Sequence, residues 1–135
     1  VDFFVFLLVV LLLTAVHEAI HGLTWAIFAE GHWKAIRFGV IWKALTPYCT
    51  CTQPMKRGQY ILGAAMPTLL LGIGLTAAAA LTGIFWIFIL AITMIFGGGG
   101  DFTIICKMLL HKQNGKNAVY YDHPYECGVV VFEKD

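Results

Sequence analysis

The chain has 135 residues, about one domain's worth, of which 59% are apolar and 13% charged, with a formal net charge of +1. Soluble domains average about 25% charged and roughly 45–50% apolar residues, so this composition excludes an ordinary soluble globule and points to a bilayer. Near-neutral charge says nothing about nucleic acid, and no basic patch interleaved with aromatics suggests such a partner, so none is expected.

A membrane-crossing helix needs ~20 mostly apolar residues, and the first such stretch runs from about Phe3 to Ala29. Its start looks like the apolar part of a signal peptide. No basic residue precedes it, however, no small-residue cleavage site closes it, and the pattern continues past signal-peptide length, so the span is expected to be retained. The chain opens at Val1 rather than Met, as expected of a trimmed or incomplete sequence.

Residues 30–59 turn mixed in character. Ala35–Val40 and Tyr48–Thr52 are rich in β-branched and aromatic residues, and Pro47 and Pro54 punctuate them, which predicts a short hairpin or irregular sheet. A second apolar stretch follows from about Tyr60 to Leu81. Pro67 within it is expected to kink or locally open the helix, and Gly63, Gly72 and Gly74 to let the first and third helices approach closely. After a Thr82–Gly83 turn, the third stretch runs from about Ile84 to Leu110. In the tail, 111–135, Gln113–Gly115 reads as a turn, and Ala118–Tyr121 and Val129–Phe132 read as short strands around Asp122–Pro124. The predicted fold is a single, mainly α, polytopic membrane domain. It has three transmembrane helices, a short cytoplasmic β-hairpin-like insert and a short β-like C-terminal tail.

Basic residues mark the cytoplasmic side of short loops. All nine, Lys34, Arg37, Lys43, Lys56, Arg57, Lys107, Lys112, Lys116 and Lys134, fall between the first two spans or toward and beyond the end of the third. This predicts an N-terminus outside and a cytoplasmic C-terminus. Cys49, Cys51, Cys106 and Cys127 are then expected to be reduced thiols. The C-x-C spacing of the first two puts them on one face of a strand, without a second Cys or His pair at zinc-site spacing to complete a ligand set.

The chemistry concentrates in the first span, at His17-Glu18-Ala19-Ile20-His21. Histidines four apart on a helix share a face, so both imidazoles can reach one Zn²⁺. Glu18 points to the flank, where it can take a proton from a metal-activated water without binding the metal. An ionisable side chain at the centre of a span costs roughly 2.5–3.5 kcal/mol, and here three lie within five positions. From His17 to Ala29 the helix rises ~18 Å, which places the motif in the hydrocarbon, toward the cytoplasmic half.

A catalytic zinc takes three protein ligands and leaves one position open. Candidates for the third are Asp101, His123, His111, Glu126 and Asp122. Asp101 lies nine residues before the end of the third span, ~14 Å from its terminus, at the depth of the histidines. It is the preferred ligand, with His123 next. Gly97–Gly100, just before it, predicts a broken or bent helix that lets backbone approach the metal.

With His17-Glu18-x-x-His21 in one span and Asp101 in a later one, the sequence resembles the site-2 protease class of intramembrane metalloproteases. More narrowly, it is similar to small bacterial membrane families of zincin peptidases. That likeness also rests on Pro47-Tyr48-Cys49, Pro67, and Asp122-His123-Pro124 with Gly128. Site-2 proteases usually carry Asn and Pro before the aspartate and Gly after it, whereas Gly97–Gly100 and Phe102 flank Asp101 here, so no substrate-positioning Asn is carried over.

The resemblance implies a zinc-dependent endopeptidase of a bacterial cytoplasmic membrane, with Glu18 as general base, cutting membrane-associated substrates. The segment from Ala35 to Thr52 is expected to pair with an extended substrate as an added strand. A zinc-binding scaffold that cleaves nothing would have no use for Glu18, and three spans with one polar cluster make a poor metal-transport pathway.

Overall fold

The computed structural model describes residues 2–113, 118–122 and 128–133. Helix α1, Phe3–Phe28, starts where the Asp2 carboxylate accepts the Phe4 amide at 3.0 Å and ends as Ala29 turns extended. A hairpin of β1, Ile36–Ile41, and antiparallel β2, Thr46–Cys51, follows. The second long helix comprises α2, Arg57–Pro67, a π-helical turn, Thr68–Ile73, and α3, Gly74–Thr82. The third comprises α4, Phe85–Gly97, and α5, Gly99–Leu110. Strands β3, Val119–Asp122, and β4, Val129–Phe132, form a second small sheet. Among the described residues the protein is therefore mainly helical with two small sheets. Phe3–Phe28, Arg57–Thr82 and Phe85–Leu110 are each long and apolar enough to cross a membrane.

Most elements fall where the sequence places them. The second helix starts three residues early, since the Gln59 side chain accepts the Lys56 amide and caps its first turn. Pro67 has no N–H to give, and the chain after it relaxes into the π turn. The expected break in the glycine run is narrow, confined to Gly98.

The core lies at one end of the bundle. Trp25, Ala26 and Ala29 of α1 pack there with Cys49 and Cys51 of β2, Tyr60 and Ala64 of α2, Ile105 and Met108 of α5, and Tyr120 of β3. At the other end, Phe3, Phe4, Leu8, Leu12, Leu81 and Phe85 are exposed, the arrangement that suits lipid around an apolar helix. The hairpin folds back onto this core: a Cβ on Gly22 would press against Phe38, Ile36 and Cys49. Its root is held by Thr52, whose amide and hydroxyl both donate to the Ala35 carbonyl, and by the Gly31 amide bonded to Gln53.

The glycines of the second helix divide by contact. A Cβ on Gly63 would collide with the Trp25 indole of α1, and one on Gly72 would crowd Ile95 of α4, so these two permit the expected close approaches. Gly74 does not, because no neighbouring atom lies within 4 Å of where its Cβ would be. Gly63→Ala should therefore destabilise the protein by about 1–3 kcal/mol through overpacking. Gly74→Ala should be neutral or stabilising by up to about 1 kcal/mol. Thermal unfolding of the two variants in one detergent checks the contrast.

Candidate metal centre

α1 brings His17 and His21 to the same face one turn apart, with ring centroids 4.9 Å from each other. Asp101 sits in the first turn of α5, just after the interruption at Gly98. Its Oδ2 lies 3.1 Å from His17 Nε2 and 3.2 Å from His21 Nε2. The ligand-type atoms of the three residues all lie within 4.8 Å of one another, close enough to meet around one ion at the ~2.0–2.2 Å bond lengths of zinc. Both histidines are buried, 6% and 3% exposed, and Asp101 is partly so.

Proton placement favours a cation at this point. His21 Nδ1 is 2.9 Å from the Gly63 carbonyl oxygen, which can only accept, so Nδ1 carries the proton. In the neutral ring Nε2 is then an acceptor, and it faces Asp101 Oδ2, a second acceptor. A cation between them, either a metal ion or a second ring proton, satisfies both atoms. The outward N–H bonded to a carbonyl is the orientation usual for a metal-binding histidine.

Trp25 supports His21 from the next turn. The two rings stack with an interplanar angle of 15° and centroids 5.1 Å apart, and the indole N–H donates to the Tyr60 carbonyl at 3.2 Å. Tyr60 and Gly63 are thus neighbouring anchors on α2. Neither Trp25 nor Tyr60 stands out in the sequence, where each reads as one more aromatic of an apolar span.

Glu18 is half-buried, within electrostatic range of His17, His21 and Asp101, and accepts a hydrogen bond from the backbone of Cys49 on β2. It stands beside the donor cluster without being part of it.

The remaining candidates separate. His111, at the end of α5, lies 3.2 Å from Glu133 and is outside the cluster. The apolar run that ends α5 carries it about a helical length from Asp101. The Asp122 carboxylate accepts hydrogen bonds from the Tyr60 hydroxyl and from the Cys51 amide, the latter at 2.9 Å, so it too serves elsewhere. Burial pushes the Asp122 carboxyl above the usual carboxylate range, against these two bonds, which pull it down. His123 and Glu126 lie outside the described residues.

Cys49, Cys51 and Cys106 are free, and Cys127 lies outside the described residues. Burial raises the Cys49 and Cys51 thiols above their ordinary range, which keeps them protonated and poor metal ligands.

Residues 10–116 match the model of a family described as "Putative zincin peptidase". The chain belongs to that family. No curated protein and no solved structure matches it. A zincin peptidase is a zinc-dependent one, and the donor set of His17, His21 and Asp101 could hold such an ion.

Replacing His17 or His21 with Ala, or Asp101 with Asn, should weaken zinc binding by more than ~100-fold, beyond what outer-shell changes produce. Cys49→Ala and Cys51→Ala should leave it unchanged. Competition titration against a chromogenic chelator measures the affinities.

Proposed function

We propose that this zincin-family chain is an intramembrane zinc endopeptidase that hydrolyses peptide bonds of membrane-associated substrates. The observation that carries this reading is Glu18, a carboxylate beside the donor cluster but not needed to hold the metal. A purely metal-binding scaffold has no use for it.

Zinc held by His17, His21 and Asp101 would supply a Lewis acid that polarises the scissile carbonyl and lowers the pKa of water. Glu18 takes the proton of the attacking water on a carboxylate oxygen and returns it to the departing amine. The Cys49 backbone bond orients that carboxylate, and the buried histidines and the helices around them keep bulk water from the reacting bond.

The hairpin supplies a docking edge. Pro47, Cys49 and Cys51 alternate along β2, and the Cys51 amide points away from β1, toward Asp122. Period-two geometry turns Cys49 the same way, toward Glu18, while Pro47 has no amide to leave unpaired. The strand edge facing the site is therefore that of β2 rather than β1. Because Asp122 and Glu18 already take these two amides, an extended substrate pairing with the hairpin as an added strand would use the other edge, that of β1.

Membrane residence is part of the proposal. The three long apolar helices support it, as do Ile41, Trp42 and Leu45, exposed around Lys43 at the hairpin tip in an amphipathic mixture suited to the interface. The hairpin packs against α1 at Gly22, six residues before the helix end at Phe28, ~9 Å along the axis. On this reading the insert dips into the layer from the cytoplasmic side. The basic residues favour a cytoplasmic C-terminus and an outer N-terminus in a bacterial cytoplasmic membrane.

Glu18→Gln should lower cleavage of a membrane-anchored model peptide by at least ~100-fold while zinc remains bound. A zinc-loaded unmodified protein that cuts no membrane peptide would favour the scaffold instead.

A further inference from the structure

We propose that Asp122, in the C-terminal hairpin, is a positioning residue for the metal centre, acting through Tyr60. The inference rests on the zinc reading above and adds a residue that lies outside the donor cluster.

The tail is docked by its backbone. Tyr120 exchanges two hydrogen bonds with Met55, 2.7 and 2.8 Å long, and is fully buried. This sets Asp122, two residues on, against the gap between β2 and the first turn of α2. One carboxylate oxygen takes the Tyr60 hydroxyl and the other takes the Cys51 amide. A single side chain therefore ties the start of the second helix to the strand that also faces Glu18.

The first turns of α2 are where His21 is held. The Gly63 carbonyl takes the His21 Nδ1 proton, and the Tyr60 carbonyl takes the indole N–H of Trp25, whose ring stacks on His21. Tyr60 and Gly63 are three residues apart on one helix face. A displacement of this turn would move both supports of the imidazole together. No Cβ on Gly63 separates α2 from the Trp25 indole, so the displacement would pass to His21 without a flexible side chain to absorb it. Cutting the Tyr60 hydroxyl from Asp122 removes the restraint that fixes the turn to β2 and should loosen the angle at which His21 meets the metal.

The test uses the full chain in detergent, loaded with Co²⁺ in place of Zn²⁺, because the visible bands of cobalt report ligand geometry. Tyr60→Phe, which deletes one oxygen, and Asp122→Ala should shift those bands in the same direction and weaken zinc binding by ~10-fold, the lower end of the effect of outer partners on a metal site. The double variant should be no worse than either single change, as expected of residues acting in one chain of contacts. Asp122→Asn, which keeps an acceptor oxygen, should recover part of the shift. Unchanged bands and affinities in Tyr60→Phe and Asp122→Ala would overturn the positioning role while leaving the metal centre intact. An unmodified protein that binds neither metal would instead overturn the zinc reading, and this inference with it.

Discussion

Two imidazole nitrogens and a carboxylate oxygen converge between α1 and α5 in the middle of an apolar chain. Without a metal ion they can bond to one another only through protons on the imidazoles, and burying such ionisable groups in an apolar chain is costly. A divalent ion reverses that balance, since its coordination energy is available only to the folded arrangement. The other features near the site follow from this requirement. Gly63 lets α2 approach until its carbonyl takes the His21 proton, Trp25 stacks on the same ring, and the interruption at Gly98 precedes the turn that carries Asp101.

Burial is distributed to match. In the proposed membrane setting lipid would solvate the outer surfaces of the apolar helices, which leaves tight packing to the place where polar groups must be shielded, and the core gathers at the end of the bundle that holds the site. The hairpin and the tail complete the shield. They place β2 beside Glu18, and a partly buried carboxylate, Asp122, between β2 and α2. A chain this small thereby gathers His17, His21 and Asp101, the Glu18 carboxylate and strand β2 within one shared packing unit.

Much of this was legible before any coordinates. The HEAIH spacing placed both histidines on one face, and helical rise alone matched Asp101 to their level because both distances are counted from the same end of the bundle. Pro67 announced the opened turn, and the strand segments were readable within one or two residues. What stayed hidden depends on contacts between segments. Gly22 and Gly63 are required by Phe38 and Trp25, residues distant in sequence, whereas Gly74, of the same type and in the same helix, meets nothing. The return of the hairpin along α1, the pairing of Met55 with Tyr120 and the use of Asp122 as a tie rather than a ligand have no local signature at all.

The central claim is that His17, His21 and Asp101 hold zinc, and the most direct measurement is X-ray absorption at the zinc edge of the purified full chain. The predicted result is one zinc per chain bound by two imidazole nitrogens at ~2.0–2.1 Å and by oxygen donors, with no sulfur. A sulfur shell at ~2.3 Å, which would place the ion on the cysteines, or a protein that retains no zinc, would contradict it.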